Sequence, residues 1–207
     1  LEEAIDTLFL GLSKTAPGQN YFTLHGVSLE TGDPGVLYHA IGVNGAKAGS
    51  FLRCDLFVRH LKALEPDWIV VSLGTNDVYV DQFDKNVFAF DFNRLIENIR
   101  EAAPDAPILL TTPGDSYRFG DYPNPHTKTA RDIIFKLAKL HNCAVYDFYR
   151  IMGGFDSVAR WYEEGLSAHD KLHFSKEGYV LQADLLFCAF MDAYDSYIDK
   201  MDMQKHP

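Results

Sequence analysis

The stretch from Asp67 to Asp77 reads Asp-Trp-Ile-Val-Val-Ser-Leu-Gly-Thr-Asn-Asp, and it decides the fold. Its first half is a run of β-branched, aromatic and other apolar residues that is too short for a helix. Such a run predicts a strand buried inside a parallel sheet. Gly74 ends the run, and the small polar residues Thr75 and Asn76 follow. Because ligands of open α/β sheets bind beyond the carboxyl ends of the strands, we expect a functional site at this rim.

Strand and helix patterns alternate from Val36 to the end of the chain. The apolar spacing predicts strands at 36–43, 67–73, 107–112 and 143–148 and helices near 51–61, 83–103, 125–141 and 158–163. Ser50 is expected to cap the first of these helices, and Ser175 a final helix with apolar residues from Tyr179 to Tyr194. This alternation predicts an α/β fold with a parallel sheet between two layers of helices. The polar breaks that follow the strands then fall on one rim, at 44–45, 74–76, 113–116 and 170–173.

Residues 1–35 have a different pattern. Two apolar runs, Thr7–Ser13 and Tyr21–Leu29, are separated by the turn signal Pro17-Gly18, and a second turn signal, Asp33-Pro34-Gly35, follows them. No helical pattern lies between the runs, which predicts a short antiparallel β piece ahead of the α/β domain. We therefore divide the chain into β strands at 1–35 and an α/β domain at 36–207.

The composition narrows the class of protein. The 207 residues are 47% apolar and 23% charged, with a net charge of −10 and no basic stripe, which indicates a globular protein and argues against a nucleic-acid partner. No apolar run approaches the ~18 residues of a membrane span. The chain opens on Leu1 without a signal-peptide pattern or an initiator Met, so we expect a fragment or a mature product. The three cysteines lack metal-ligand spacing and are expected to be buried free thiols.

Asp170-Lys-Leu-His173 precedes the last predicted helix and is the candidate acid–base pair. A carboxylate three residues before a histidine can hold the imidazole in one tautomer, which leaves the other nitrogen free to act as a general base. Taken alone, the same four residues are also typical of a solvated loop that leads into a helix.

Gly45 and Asn76 are the candidate electrophilic groups on the same rim. The backbone N–H beside a glycine and the side-chain NH₂ of an asparagine can both donate hydrogen bonds to a developing oxyanion. Each residue alone is equally typical of an ordinary turn, because glycine and asparagine are common turn formers.

Taken together and in this order, these motifs resemble the SGNH (GDSL-type) hydrolase family over residues 36 to about 197. The segment 41–46 resembles the block with the oxyanion glycine, 72–77 the block with the oxyanion asparagine, and Asp170 with His173 the acid and base of the triad. The resemblance implies a flavodoxin-like three-layer α/β/α sandwich and hydrolysis of a small-molecule, lipid or glycan ester without a metal or other cofactor. The wording around 42–46 and 161–162 is similar to Bacteroidetes members with an inserted β domain, which implies a periplasmic or secreted protein.

The family's nucleophile, a serine in a Gly-Asp-Ser block at the end of the first strand, has no clear counterpart before Gly45. Three explanations stay open. The serine lies upstream of this chain, and residues 1–35 end an inserted domain. Alternatively it is Ser13, although Pro17-Gly18 forbids the helix that should follow, or it is Ser116 of Gly114-Asp115-Ser116, after a later strand.

The missing strand has a structural consequence. In the strand order 2-1-3-4-5, the first strand separates 36–41 from 68–73, so its absence would leave buried backbone groups unpaired. We expect Thr7–Ser13, another chain or a closing of the sheet to fill that place. Two other functions stay open: a catalytically incomplete binding protein that stacks sugars on Tyr79, Tyr117, Phe119, Tyr122 and Trp161, and a metal hydrolase that uses His169, Asp170 and His173.

Overall fold

The computed structural model describes residues 7–30 and 32–205, with side chains as far as residue 201. The chain forms two compact units, residues 1–41 and 42–207. The described residues of the first unit contain neither helix nor strand. A turn near Ala16 is held by the side chain of Gln19, whose carbonyl oxygen accepts hydrogen bonds from the backbone N–H groups of Thr15 (2.8 Å) and Ala16 (3.2 Å).

The strands expected at Thr7–Ser13, Tyr21–Leu29 and Val36–Val43 do not form in the described residues. A strand becomes stable when its backbone pairs with a neighbour and one of its faces is buried. Neither condition holds here, since side chains such as Phe9 and Val36 are 90% and 96% exposed. Residues 1–6 and 31 of the expected β piece lie outside the described residues. The division at residue 35 and its interpretation as part of a β domain stay predictions.

The second unit is built on a parallel sheet, as the sequence predicts. Strands β1 (Ile69–Ser72), β2 (Ile108–Thr111) and β5 (Ala144–Tyr146) lie in the order β1-β2-β5. Val71 is opposite Leu110, which in turn is opposite Val145. A separate antiparallel pair is formed by β3 (Tyr117–Arg118) and β4 (Tyr122–Pro123).

Helices cover both faces of this sheet. They are α1 (Ala48–Phe51), α2 (Phe57–Ala63), α3 (Thr75–Val78), α4 (Lys85–Ala102), α5 (His126–His141), α6 (Phe148–Met152), α7 (Ser157–Glu163) and α8 (Lys176–Lys205). One core joins β1 and β2 to α4 and α5 through residues such as Leu110, Phe92 and Ile134. A second core joins β2 and β5 to α6, α7 and α8 through Leu109, Phe148 and Leu181. None of the helices in the described part of the chain is both long and apolar enough to cross a membrane.

The expected helix at 51–61 is interrupted. The Ser50 hydroxyl accepts a hydrogen bond from the Lys47 N–H at 3.1 Å, so Ser50 is the third residue of the short α1 and caps its start from within, and it is not the residue before a longer helix. The chain then turns, and α2 begins at Phe57. The expected burial of the cysteines is also wrong, because Cys54 and Cys188 are exposed and Cys143 is half-buried, although all three are free thiols.

The edge of β1 that faces away from β2 pairs with no strand in the described part of the chain. β1 pairs with β2 alone, and Val70 in β1 is 41% exposed. The place of the missing strand is therefore open, contrary to the expectation that something would fill it. Trp68, directly before β1, stacks on Phe190 of α8 with 5.1 Å between the ring centroids, so α8 lies close to this edge.

Candidate active site

One pocket of about 260 Å³ lies at the rim where the strands end. Its walls come from the ends of β1 and β2, the loop before α8 and the first turns of α8. Asn76 and His173 both line it, although 97 residues of sequence separate them. The structure therefore brings the predicted oxyanion donor and the predicted base to one cavity.

Asp170 and His173 form a self-contained pair. His173 Nδ1 lies 2.7 Å from Asp170 Oδ2, and Asp170 Oδ1 accepts hydrogen bonds from the backbone N–H groups of Leu172 and His173, each at 3.0 Å. An ionised carboxylate can only accept, so Nδ1 carries the proton and the lone pair of Nε2 is free. The His173 side chain is 66% exposed, which leaves this nitrogen accessible.

Burial and hydrogen bonding have opposite effects on the pKa of Asp170. Partial burial raises the pKa of its carboxyl, whereas the hydrogen bonds from the His173 ring and from the two backbone N–H groups lower it. The net effect is a lowered pKa. The carboxyl is therefore ionised at neutral pH, as a group that orients an imidazole must be.

The loop that carries the pair is closed at its base. Ser167 and Phe174 form an antiparallel bridge, and the Ala168 N–H donates to the His173 carbonyl at 2.8 Å. Lys171 has a left-handed φ of +49°, which lets the chain reverse between Asp170 and His173. The short separation of the pair is thus produced by local backbone geometry.

Asn76 lies in α3, just beyond the end of β1. Its side-chain NH₂ donates one hydrogen bond to the Ala46 carbonyl at 3.0 Å. The adjacent Asp77 accepts one from the Ala48 N–H at 3.2 Å. Because an amide NH₂ has two hydrogens, the bond to Ala46 uses only one of the two N–H groups of Asn76.

Gly45 lies outside the residues that line the pocket. Its φ of +73° is in the left-handed region that glycine tolerates best, and its neighbour Ala46 is the residue bonded to Asn76. The turn with Gly45 is therefore joined to the pocket through Asn76. Its role as an oxyanion donor stays a prediction.

Neither candidate serine hydrogen-bonds to His173 in the described part of the chain. Ser116 lines the pocket, but its hydroxyl is buried and has no hydrogen-bond partner among the described residues. Ser13 belongs to the first unit. Ser72, at the end of β1, accepts a hydrogen bond from the Thr111 hydroxyl at 3.0 Å.

The other two functional alternatives depend on His169 and on a set of aromatic residues. His169 packs edge-on against the Tyr162 ring, and no group of three or more metal-binding side chains exists among the described residues. Two of the aromatic residues expected to stack sugars, Tyr117 and Trp161, are buried in the core. Phe119 and Tyr122 are exposed at the β3–β4 turn.

Asp115 is a residue of the pocket that the sequence reasoning missed. It is 1% exposed, and its Oδ2 accepts a hydrogen bond from the Val158 N–H at 3.1 Å, in the first turn of α7. Burial raises the pKa of this carboxyl to about 6, against the effect of the backbone hydrogen bonds. The signal was present in Gly114-Asp115-Ser116, where only the serine was considered.

The model of the GDSL-like Lipase/Acylhydrolase family matches residues 11–181. No curated protein sequence matches the chain. Among solved structures, a peptidoglycan O-acetylesterase is similar with a TM-score of 0.71 and 23% identity, and the match covers 76% of this chain and 46% of that one. This chain therefore spans less than half the length of that protein.

Two further structures have the same fold. The lipase/acylhydrolase from Enterococcus faecalis has a TM-score of 0.54 and 25% identity, over 69% of each chain. The acetyl xylan esterase AlAXEase has a TM-score of 0.53 and 22% identity, over 72% of this chain and 78% of its own. The predicted three-layer fold is confirmed by these similarities.

Proposed function

Because this chain belongs to the GDSL-like lipase/acylhydrolase family, we propose that the protein is a serine ester hydrolase that removes an acyl or acetyl group. The observation that carries the proposal is the 2.7 Å contact between Asp170 and His173, at a pocket also lined by Asn76. An oriented imidazole beside a side-chain N–H donor is the arrangement that acyl transfer requires.

The proposed reaction uses Asp170, His173, Asn76 and Gly45 together with a serine. A serine hydroxyl transfers its proton to His173 Nε2 while its oxygen bonds to the ester carbonyl carbon. The resulting oxyanion accepts hydrogen bonds from the Asn76 side chain and the Gly45 N–H. The tetrahedral intermediate then collapses, the bond to the alcohol breaks, and His173 returns the proton to the leaving oxygen. Water repeats these steps on the acyl-serine and releases the acid.

We propose that the serine arrives on a strand that pairs with the open edge of β1. The carboxyl end of β1 leads directly to Asn76, so a parallel strand beside it ends at the same pocket. Several apolar side chains of α8, such as Phe187 (62% exposed) and Tyr194 (50% exposed), are available to pack on a helix that follows that strand. Ser13 and Ser116 are the alternatives, and the buried hydroxyl of Ser116 argues against the second.

The substrate class follows from the similar proteins. A peptidoglycan O-acetylesterase and an acetyl xylan esterase both act on acetylated glycans by their names, which favours a glycan acetyl ester here. The second candidate function is a catalytically incomplete protein that binds a carbohydrate or another partner at the same rim. The exposed rings of Phe119 and Tyr122 support it.

Turnover of p-nitrophenyl acetate by the natural full-length protein tests the proposal. We expect His173→Ala to abolish turnover and His169→Ala, four residues earlier in the same loop, to retain it. A fluorophosphonate probe followed by peptide mapping then identifies the serine. Labelling outside residues 7–205 supports a strand supplied from elsewhere, and labelling of Ser13 would make Thr7–Ser13 the added strand. Labelling of Ser116 contradicts an added strand as the source of the serine. Absence of both turnover and labelling would favour the binding protein.

A further inference from the structure

The β3–β4 hairpin lies between the two halves of the candidate site. It begins directly after Ser116 of the pocket, and its turn has two left-handed residues, Phe119 at φ +56° and Gly120 at φ +80°. Successive side chains of a strand point to opposite faces. The adjacent residues Tyr117 and Arg118 of β3 can therefore contact different parts of the molecule. Tyr117 contacts the loop that carries His173, and Arg118 contacts the segment after α3.

Tyr117 contacts the loop that carries Asp170 and His173. Its backbone N–H donates to the Lys171 carbonyl at 2.8 Å, and the Lys171 ammonium lies 4.5 Å from the centre of the Tyr117 ring and 5.4 Å from that of Tyr162. The Tyr117 hydroxyl donates to Asp156 Oδ1 at 2.5 Å, which fixes the ring from its far end. Lys171, the residue with the left-handed backbone between Asp170 and His173, is thus held by both its main chain and its side chain.

Arg118 holds the segment that follows the donor. Its Nη1 donates to the Val80 carbonyl at 2.9 Å, and the guanidinium is largely buried, with 21% of the side chain exposed. Asn124, fully buried just after β4, donates to the Val78 carbonyl at 3.1 Å. Val78 is the last residue of α3, the helix of Asn76. One hydrogen bond from the hairpin and one from the residue directly after it therefore hold the end of the donor's helix and the segment that follows it.

We propose that the β3–β4 hairpin is a brace that fixes His173 relative to Asn76, with Tyr117, Lys171 and Arg118 as positioning residues. The inference rests on the proposed function, because it assigns these residues to the geometry of that reaction. None of the three is proposed to touch the reacting atoms. Their effect is on placement, and a misplacement of about 1 Å can reduce a rate on the order of 100-fold.

The donor side is tested by a double-mutant cycle in the natural full-length protein. Arg118→Met removes the bond to Val80, and we expect kcat per fluorophosphonate-titrated site to fall about 10-fold with KM unchanged. In an Asn76→Ala background the donor is already gone, so the same change should alter kcat by less than about twofold. Arg118→Lys should restore most of the rate, and Arg94→Met, which removes an exposed arginine on α4, is the control.

The base side is tested without turnover. The ¹⁵N shifts of the His173 ring report which nitrogen carries the proton, and we expect Nδ1–H in the unmodified protein. Tyr117→Leu and Lys171→Met should shift the population towards Nε2–H, the form that the freed loop allows. Tyr117→Phe retains the ring under the ammonium but loses the bond to Asp156, so it should shift the population less than Tyr117→Leu does.

The outcomes separate the two proposals. Equal losses of kcat for Arg118→Met in the two backgrounds would overturn the role of Arg118. An unchanged tautomer in both Tyr117→Leu and Lys171→Met would overturn the role of Tyr117 and Lys171. If the unmodified protein hydrolyses no ester while the tautomer responds to these two changes, the proposed function fails and the brace on the base stands.

Discussion

The Asp170–His173 loop and the Asn76 turn lie on one rim, yet different kinds of contact hold them. Asp170 bonds to residues two and three positions further along the chain. Asn76 and Asp77 bond to Ala46 and Ala48, which lie 30 and 29 positions away. The base is thus oriented largely by its own loop, whereas the donor is oriented by the meeting of two distant segments. Apart from the contacts of Tyr117 with Lys171, we expect the geometry of the base to tolerate distant changes better than that of the donor.

The largest loss of activity is expected from a substitution in the Asp170–His173 loop. Asp170→Asn keeps the shape but leaves Nδ1 without an ionised acceptor, so the imidazole loses its tautomer preference. We expect kcat to fall about 10³–10⁴-fold, as in other triads that lose their carboxylate. The melting temperature should stay within a few degrees of the parent, because the Asp170 side chain is half-exposed. Unfolding of the variant at room temperature would show that the pair also supports the fold.

The next largest loss of activity is expected at Asn76, which is held by a long-range contact. Asn76→Ala removes an oxyanion donor and should reduce kcat about 10²–10³-fold. It also leaves the Ala46 carbonyl without this partner, so the free energy of unfolding should fall by about 1 kcal/mol, unlike in Asp170→Asn. Urea denaturation of both variants compares the two sides directly. Equal stability losses would contradict the contrast between local and long-range support.

Asp115, which belongs to neither the Asp170–His173 loop nor the Asn76 turn, makes the free energy of unfolding depend on pH. Because its pKa is raised to about 6, the folded state binds a proton between about pH 4 and 6 that the unfolded chain has already released. Its contribution to stability is therefore complete below about pH 4 and is lost as the pH rises to about 6. Between pH 4 and pH 7, this carboxyl should lower the free energy of unfolding of the parent by about 2 kcal/mol. Asp115→Asn, which retains an acceptor for Val158, should lack this loss. Asp121→Asn, at the exposed turn after β3, should leave the change unaltered.

The last prediction concerns stability alone, and it tests how the loop of Asp170 and His173 packs on α8. A Cβ at Gly178 would collide with the carbonyl oxygen of Leu166, at the base of the loop. Alanine normally stabilises a helix relative to glycine, but here we expect Gly178→Ala to lower the free energy of unfolding by about 1–3 kcal/mol. Glu177→Ala, one position earlier, should be close to neutral. A stabilised Gly178→Ala would mean that the loop moves freely on the helix.

The same contrast explains what could be predicted from the sequence. Asp170 and His173 were identifiable because a carboxylate and an imidazole three residues apart can meet through local geometry alone. The sheet and α4, α5 and α8 followed from apolar periods within single segments. Tyr117, Arg118 and Lys171 were not identifiable as a group, since their contacts join β3 to segments about 40 and 50 residues away in sequence.

The errors in the prediction also have a physical origin. Thr7–Ser13 and Tyr21–Leu29 have the apolar content of strands, but a strand depends on a partner that its own sequence does not specify. The expected helix from Ser50 was wrong in its start, because α1 begins at Ala48 and the Ser50 hydroxyl bonds to the Lys47 N–H within its first turn. Asp115 was missed because its burial depends on α7, which lies far along the chain.

If the serine lies on an added strand, the open edge of β1 divides the active site between two pieces of chain. With the serine on a strand that adds to that edge, base and donor fold in one piece, and the nucleophile can be supplied as a separate peptide. Each piece alone would be inactive, and their association would switch the esterase on. The four backbone positions of β1 would then act as a receptor, and the strand that pairs with them would be its activating ligand.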